Sequence, residues 1–564
     1  MKQIKQFASE HESGITVFLM FVAGFIFFNQ TRTGCLSLTA FSIIEIILVC
    51  ALGYALHLKM DKKADNLHII MKLVMCILFT AACYVVSFLR NYGLGSISSN
   101  NLIVFTVVLM IVWFMFIYMF ADKKLLGSEQ VIGLIIFTGI LLRFIYILMN
   151  GITEMQNDIG KLQDGQGHLG YIYYLYSHGR LPDFNPTSRL QFYHPPLHHA
   201  LSAIWLRINT GLGFSIERAG ENIQLLTFAY SSCMLLTTDA ILKKLKADVI
   251  SRMWALGILA FFPYFVMQAG AVNNDTLVTF LMALSIYFAL RWYDEPTLKN
   301  IIPLGLCIGG AMMTKLSGGF VAPAVAYLFL VKLIKDRKNI LNYIKQFVLF
   351  GIVTVPLGLW FPVRSKLLYD VPLNFVPKFS EKLAQYIGKY NTAGQRLFDF
   401  SLVQFKSPAI VWTNTEAGCD RNIFITMIKC AMFNEGSWFM KDTFKRELSR
   451  VILWFAILMF IVLLALFIYW LVKSELELEK RIFAAITYVI IYVLYIKFCF
   501  DYEFICTMNV RYVLIPIMLQ VIGAALAFGQ LRKKKAGLVT DVLCVLPIIF
   551  GLLSSALFMG YFLH

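Results

Sequence analysis

Apolar residues are gathered into long runs separated by short polar connections, a pattern that predicts a bundle of membrane-spanning helices. A spanning helix needs about 20 mostly apolar residues, and the chain offers about fifteen such runs. The predicted spans lie near residues 13–29, 37–57, 68–89, 101–121, 130–149, 221–243, 249–269, 273–292, 300–315, 318–334, 345–362, 450–473, 481–499, 510–530 and 538–561. The pattern therefore predicts an all-α polytopic membrane protein.

Composition agrees with this interpretation and excludes a string of soluble domains. Hydrophobic residues make up 59% of the 564 residues and charged residues only 15%, against about 25% in typical soluble domains. The net charge of +17 could indicate binding to nucleic acid, or it could mark the cytoplasmic side of a membrane protein. Its distribution along the chain decides between the two.

Basic residues cluster in every second short connection. With fifteen spans and a cytoplasmic N-terminus, all clusters fall on one side of the membrane, as the positive-inside rule requires, so we expect no nucleic-acid partner. The clusters are Lys2 and Lys5; Lys59, Lys62 and Lys63; Lys123 and Lys124; Lys243, Lys244 and Lys246; Arg291 and Lys299; Lys332, Lys335, Arg337 and Lys338; Lys473, Lys480 and Arg481; and Arg532, Lys533, Lys534 and Lys535.

Two long polar segments are predicted on the outer side: a first long segment at about 150–220 and a second long segment at about 363–449. Connections of this length are uncommon unless they are functional. The first contains helix-like stretches at 171–178 and from Pro195 to Arg207, because proline suits a first helical turn. We expect the helices of both long segments to lie along the membrane surface.

The polar residues favour an enzyme at the outer face over a transporter. A transporter such as a lipid-linked glycan flippase usually carries charges near the bilayer midplane and internal repeats, and neither is evident. A polysaccharide polymerase or ligase of the outer face is a second alternative, and a non-catalytic membrane scaffold a third.

Candidate catalytic carboxylates lie in the first long segment. Asp158 follows the outer end of a predicted span, where a carboxylate can accept a proton from a hydroxyl nucleophile; a loop aspartate is otherwise commonly a turn or helix-cap residue. Asp183 lies between Pro182 and Pro186, which favours a turn.

Histidines in the same segment raise the question of a metal site. His194 and His198 have the spacing of two ligands on one helix face, and His199 follows. However, Pro195 and Pro196 intervene, and no HExxH-type pattern supplies a glutamate. Structural or hydrogen-bonding roles are favoured, and a divalent metal stays possible.

Three further groups lie at outer ends of predicted spans. Asp275, after Asn274, is a natural N-cap residue. Lys315 runs against the positive-inside trend and suits an anionic ligand such as phosphate, or snorkels to the membrane surface. Arg511 could hold a phosphate bidentately or pair with Asp501 or Glu503.

Several motifs together resemble a known family. The first long segment reads GHLGYIYYLYSHGRLPDFNP followed by QFYHPPLHH, and the chain continues with NDT, TKLSG and an Arg-Tyr pair before a proline-containing span. Over about residues 130–530 it is similar to the polytopic glycosyltransferases of the GT-C fold, in the family 39-like branch of the protein O-mannosyltransferases and the aminoarabinose transferases of lipid A. The resemblance implies a GT-C core at 127–535, an N-terminal extension of four spans at 1–126 with no assigned role, and a C-terminal span at 536–564.

The resemblance also implies a mechanism. Such enzymes transfer a sugar, with inversion, from a polyisoprenyl-phosphate donor to a hydroxyl at the outer face. Asp158 matches the general base, although Asn157 stands where this branch usually has histidine, and Lys315 and Arg511 match the residues that stabilise the departing phosphate. The implied substrate pocket comprises His168, Tyr171, Asp183, His194, His198, His199, Asn274, Asp275 and Tyr512.

Partners and location follow from the same resemblance. We expect a polyisoprenyl-phosphate sugar, membrane lipid, and an acceptor that is a glycan, a lipid or a protein. No cofactor is certain, and a divalent metal is possible. The expected location is a bacterial plasma membrane, with several spans, a cytoplasmic N-terminus and an active site on the outer face.

Overall fold

The computed structural model describes residues 24–25, 28–29, 99–123, 126–154, 158–388, 391–412, 420–437, 440, 442–534 and 537–562. The spans predicted near 13–29, 37–57 and 68–89 lie largely or wholly outside these residues. Within them the chain is helical; the only strand-like pairing there is an isolated antiparallel bridge between Tyr386 and Phe504.

Nineteen α-helices occur in the described part of the chain, with short 3₁₀ turns between some of them. They are α1 Ser99–Asp122, α2 Ser128–Met149, α3 Gly167–His178, α4 Leu197–Gly211, α5 Ile216–Glu221, α6 Gln224–Lys244, α7 Val249–Phe261, α8 Pro263–Met267, α9 Asp275–Asp294, α10 Leu298–Thr314, α11 Ala322–Lys335, α12 Ile340–Tyr369, α13 Ala393–Phe398, α14 Leu402–Phe405, α15 Ile423–Phe433, α16 Thr443–Lys473, α17 Leu478–Asp501, α18 Leu514–Lys533 and α19 Leu538–Phe562.

Helical segments cover all twelve spans predicted from residue 101 onward, which confirms the all-α polytopic architecture. Ten helical segments among the described residues are long and apolar enough to cross a membrane. Two of the predicted spans correspond to shorter helices, α7 with 13 residues and α10 with 17. The total of about fifteen spans stays a prediction.

The prediction of a single helix at 249–269 is wrong, because the helix is interrupted between α7 and α8, where Pro263 begins α8. Proline has no amide N–H, so carbonyls one turn earlier lose their helical partner. The buried guanidinium of Arg143, on α2, donates to Leu259 O at 3.2 Å and to Ala260 O at 2.9 Å. Arg143 thereby satisfies the broken helix end and places its positive charge at a C-terminus.

Ion pairs tie several helices together at one end of the bundle. Asp294, the last residue of α9, contacts Lys244 at 2.9 Å and Lys480 at 2.7 Å, and Lys335 contacts Glu479 at 2.5 Å. These lysines belong to the basic clusters predicted on the inner side. Their contacts join the C-terminal ends of α6, α9 and α11 to the N-terminal end of α17. Helices that cross the bundle in alternating directions bring these ends to the same side.

The first long segment folds into α3, α4 and α5. The predicted helices there begin at Gly167 rather than 171 and at Leu197 rather than Pro195. Helix α4 is amphipathic, with an exposed apolar stripe on one side and buried polar residues on the other. The stripe consists of Leu201, Ile204, Ile208 and Leu212. Such a helix suits a membrane surface, where its location stays a prediction.

The second long segment is shorter than predicted, because α12 continues to Tyr369 and α16 begins at Thr443. It also contains a helix that does not fit the expectation of surface helices, since α15 is buried along its length. Lys429 on α15 pairs with Asp420 at 2.6 Å, and both side chains are almost fully buried. Taking either charge away alone would leave the other uncompensated in the interior.

Candidate active site

Four charged residues from distant parts of the chain meet at the end of the bundle opposite the lysine pairs. Asp158 follows α2, Asp275 is the first residue of α9, Lys315 follows α10, and Arg511 lies in the 3₁₀ turn Val510–Tyr512 before α18. We call Asp158, Asp275, Lys315 and Arg511 the ionic cluster. Their meeting point is where the ends of α2, α9, α10 and α18 converge.

The contacts within the ionic cluster pair each cation with a carboxylate. Both Nη1 and Nη2 of Arg511 donate to Asp158 Oδ2 at 3.2 Å, and Nη1 lies 3.8 Å from Asp275 Oδ2. Lys315 Nζ lies 2.5 Å from Asp275 Oδ1. The Asp158 side chain is 45% exposed and that of Arg511 only 10%. The cluster is therefore closed around Arg511 and open at Asp158.

Two predicted local roles are wrong. Asp275 is not the N-cap of its helix, because α9 begins at Asp275 itself and Asn274 occupies the cap position. Arg511 does not pair with the nearby acids: Asp501 contacts Lys497 at 2.7 Å, and Glu503 lies 3.6 Å from Arg396. In both cases a long-range ion pair prevails over the local alternative.

Backbone hydrogen bonds from α3 hold Asp158 in place. Asp158 has φ 58°, a left-handed conformation that aspartate tolerates better than most residues. The first N–H groups of a helix have no partner within it, and here His168 N donates to Asp158 O at 3.3 Å and Leu169 N to Ile159 O at 2.9 Å. The N-terminal turn of α3 and the backbone at Asp158 therefore hold each other in position.

Glycines permit this close approach. Gly160 and Gly167 have φ of 65° and 73°, where other residues are strained. A Cβ on Gly167 would lie 2.5 Å from Ile159 O, and one on Gly160 would lie 2.2 Å from Gln166 O. No side chain fits between these two backbone segments.

Three predicted pocket histidines stack beside the ionic cluster. The ring centroids of His168 and His194 are 5.8 Å apart and those of His168 and His199 5.2 Å, with nearly parallel planes. His168 Nδ1 and His199 Nε2 share a hydrogen bond of 2.9 Å, and Tyr171 packs on His199. Burial lowers the pKa of His168, His194 and His199 well below the ordinary value. The rings are therefore neutral at physiological pH.

The histidine spacing does not form a helical metal motif. Helix α4 begins at Leu197, so His194 precedes it while His198 and His199 lie in its first turn. The part of the chain that the structure describes contains no grouping of three or more His, Cys, Asp or Glu side chains that could hold a metal ion. A divalent metal stays the alternative that the sequence left open.

The ring of Tyr512 packs against both cations of the ionic cluster. Lys315 Nζ and Arg511 Cζ are each 5.0 Å from the centre of its ring, within the range of a cation–π contact. Asn274 donates from Nδ2 to Thr314 O at 3.1 Å and so joins the start of α9 to the end of α10. Tyr512 and Asn274, both predicted pocket residues, therefore support the ionic cluster.

The other predicted pocket residues have different surroundings. Asp183 pairs with Arg180 at 2.9 Å and accepts a hydrogen bond from Tyr174 at 3.3 Å, in an exposed turn, as its flanking prolines predict. Tyr171 is fully buried and stacks on Phe192. Neither contacts the ionic cluster.

Two residues that lie beside the cluster are not among the predicted site residues. Tyr193 packs against His194 and Phe375, so it bridges the two long segments. Glu435 follows α15 and accepts a hydrogen bond from Asn509 Nδ2 at 2.9 Å. Tyr193 is part of the QFYHPPLHH motif and could have been selected, whereas no local pattern marks Glu435.

Comparison with known proteins agrees with this architecture. Residues 194–360 match the family model of dolichyl-phosphate-mannose-protein mannosyltransferases. The matched segment contains His194, Asp275 and Lys315 but ends before Arg511 and begins after Asp158. A search of curated proteins finds no match to the chain. The family match confirms the resemblance to the GT-C glycosyltransferases of the family 39-like branch and supports a multi-pass membrane glycosyltransferase.

Proposed function

We propose that the protein transfers a sugar, with inversion, from a polyisoprenyl-phosphate donor to an acceptor hydroxyl. The observation that carries the proposal is the ionic cluster, in which a half-exposed carboxylate and two mostly buried cations lie within contact distance. Displacement of a lipid phosphate requires a base for the hydroxyl and positive charge for the leaving group. The cluster offers both.

Asp158 is the proposed general base. Its Oδ2 receives both hydrogen bonds from Arg511, while Oδ1 contacts no hydrogen-bond donor within the described part of the chain. The side chain is 45% exposed. An acceptor hydroxyl can therefore reach Oδ1 and pass it a proton as the hydroxyl oxygen attacks the anomeric carbon.

Lys315 and Arg511 are the proposed binding residues for the donor phosphate. In the structure each of these cations is paired with an aspartate. An entering phosphate adds negative charge, which the two cations then share with the two carboxylates. As the bond between sugar and phosphate breaks, the charge on the phosphate grows, and fixed cations in a poorly hydrated site stabilise it without reorganising. Attack from the face opposite the phosphate inverts the anomeric centre.

The predicted orientation of the bundle in the membrane supports the location of this chemistry. The ionic cluster lies at the end of the bundle away from the basic connections, and the positive-inside rule assigns those connections to the cytoplasm. The proposal therefore has the transfer site on the outer face and the N-terminus in the cytoplasm, and it takes the membrane to be a bacterial plasma membrane. The acceptor is a glycan, a lipid or a protein.

A divalent metal is not needed for the proposed proton and charge transfers. The residues closest to the base offer Asp158 and stacked histidines, but Asp158 Oδ2 is engaged by Arg511 and the rings of His168 and His199 are bonded to each other. Within the described part of the chain no group of three or more His, Cys, Asp or Glu side chains could hold a metal ion, and no step is assigned to one.

The test is release of lipid phosphate by the full-length protein in lipid nanodiscs. The protein is incubated with a panel of polyprenyl-phosphate sugars, and the freed polyprenyl phosphate and the anomeric configuration of the product are measured. We expect turnover with at least one donor and a product of inverted configuration. Folded protein that is silent across the panel would favour a lipid-linked glycan transporter, and a retained configuration would contradict direct displacement.

A further inference from the structure

Glu435, in the second long segment, lies one hydrogen-bonded residue away from Arg511 of the ionic cluster. This segment contributes none of the residues discussed so far as base or cation. Helix α15 ends at Phe433, and the next residue, Asn434, has φ 53° and ψ −141°. Residues other than glycine rarely adopt this conformation, and it persists where surrounding contacts impose it. The turn that directs Glu435 toward the cluster is therefore held under strain.

Asn509 connects Glu435 to Arg511. Its Nδ2 donates to Glu435 Oε1 at 2.9 Å, and its Oδ1 accepts from the backbone N–H of Arg511 at 2.9 Å. Asn509 is buried, and because both ends of its amide are engaged, its orientation is fixed. Glu435 is thus one hydrogen-bonded residue away from the proposed phosphate-binding turn.

A count of charges decides the protonation state of Glu435. The two cations of the ionic cluster are already matched by Asp158 and Asp275. An ionised Glu435 would be a third carboxylate with no further cation to balance it, which is costly for a carboxyl that is only partly exposed to water.

The remaining surroundings of Glu435 agree with this count. The other titratable groups that face it are the thiols of Cys430 and Cys506 and the phenol of Tyr264, none of which carries positive charge. Burial raises the pKa of the Glu435 carboxyl, and Arg511 and the hydrogen bond from Asn509 offset this only in part. Burial and the missing counter-charge therefore both favour the protonated form of the carboxyl.

We propose that Glu435 is an additional substrate-binding residue and that, as a neutral carboxyl, it donates its O–H to an oxygen of the lipid-linked phosphate. This inference rests on the proposed function, which brings that phosphate to Arg511. Because Oε1 accepts the hydrogen bond from Asn509, the proton lies on Oε2, which is the donor. A neutral donor also adds no negative charge to oppose the phosphate.

The experiment measures binding of farnesyl phosphate to the full-length protein in nanodiscs, without turnover. Glu435→Ala removes the donor, whereas Glu435→Gln replaces it with an amide that can both accept from Asn509 and donate to phosphate. We expect the alanine variant to raise Kd at least about 10-fold, the loss of one hydrogen bond to a charged group, and the glutamine variant to raise it less than about 3-fold.

Glu447→Gln is the matched control. Glu447 lies close to the second long segment at the start of α16, has an exposed side chain and pairs with Arg450 at 2.6 Å. We expect its Kd to equal that of the wild type. Thermal unfolding of all variants identifies any loss of fold, and the near-isosteric glutamine variant stays informative if the alanine variant unfolds.

Three outcomes would overturn the inference: no binding of farnesyl phosphate to the wild type, wild-type affinity in the alanine variant, or equal losses in the glutamine and alanine variants. Equal losses would mean that Glu435 acts as a charged carboxylate. Binding and transfer are separate measurements. Wild-type protein that shows the expected Kd pattern but transfers no sugar would contradict the proposed function and leave the role of Glu435 intact.

Discussion

Arg511 donates a hydrogen bond from each of its two terminal nitrogens to a single oxygen, Oδ2 of Asp158, which lies 353 residues earlier in the chain. This geometry leaves Oδ1 as the oxygen that an acceptor can approach. It also places the group expected to bind the leaving phosphate in direct contact with the group expected to take the proton. The proposed base and the proposed phosphate-binding residue are thereby held in one cluster.

Replacing the proposed base should stop transfer without unfolding the protein. Asp158→Asn keeps the size of the side chain and an oxygen for Arg511, but the amide cannot accept a proton from the acceptor. We expect a loss of kcat of about 10²- to 10⁴-fold, measured as release of lipid phosphate, with an unchanged thermal unfolding temperature. Asp164→Asn, on an exposed stretch of the same segment, is the control and should retain full turnover. Retained turnover in Asp158→Asn would remove Asp158 from the role of base.

Lys315 has a structural and a proposed catalytic role that two variants can separate. Lys315→Met leaves the buried Asp275 carboxylate with only Arg511 at 3.8 Å, so we expect it to lower the free energy of unfolding by about 3 kcal/mol and to raise the KM for the donor. The double variant Lys315→Met with Asp275→Asn removes both charges, and stability should recover.

The donor KM of that double variant is the informative number. If Lys315 binds phosphate, the KM stays high although the fold is restored, because no cation has returned. A donor KM that recovers together with stability would mean that Lys315 only balances Asp275.

A methyl group at Gly167 should displace the candidate base. Its Cβ would lie 2.5 Å from Ile159 O and 2.6 Å from Gly160 N, at a φ of 73°. Backbone cannot yield as a flexible side chain can, so Gly167→Ala should move the segment that carries Asp158 and reduce kcat by at least a factor of about 10, the equivalent of about 1.4 kcal/mol in the activation barrier.

Gly211→Ala provides the comparison for this substitution. Gly211, at the end of α4, has a φ outside the left-handed region, and a Cβ added there would meet nothing within 4 Å. We expect wild-type turnover and a slightly higher unfolding temperature, since alanine is the better helix former. Equal turnover in Gly167→Ala would show that the close approach of the two segments is unimportant.

Acidification should destabilise the fold through the buried histidines. The folded-state pKa of His198 is lowered by burial to about 4, while an unfolded histidine titrates near about 6.5. Between these values the unfolded chain binds more protons, so the free energy of unfolding falls as pH decreases through this window and is constant above it. His198 alone accounts for up to about 3 kcal/mol.

Thermal unfolding in nanodiscs at pH values of about 7.5, 6 and 5, chosen to bracket the pKa of an unfolded histidine, measures this dependence. His168, His194 and His199 act in the same direction because burial also lowers their pKa. His198→Gln should reduce the slope with pH. Stability that is unchanged across this series would contradict neutral, buried histidines.

The sequence predicted the helices well because each depends on its own apolar composition. Twelve predicted spans contain helical segments, and the ion pairs of Lys244, Lys335 and Lys480 bring three of the basic clusters together at one end of the described bundle. The break at Pro263 has a local signal, the proline itself, although the apolar run continues through it. The guanidinium of Arg143, which satisfies the freed carbonyls, comes from another helix and leaves no trace near the proline.

The candidate site could be predicted only in its separate parts. The motifs around Asp158, Lys315 and Arg511 are local, and the family resemblance selected all three. Their partners are not local: nothing in the neighbourhood of Arg511 in the chain distinguishes Asp158 from Asp501, and the N-cap prediction for Asp275 follows the most common local role. Glu435 lies in no recognisable motif.

The sequence by itself determined the membrane architecture, because hydropathy and charge act on each segment independently of its neighbours. Only the tertiary structure decided which charges meet. Burial among the ends of four helices removes water from Asp275, Lys315 and Arg511, so each charge must find its counter-charge across the fold rather than along the chain.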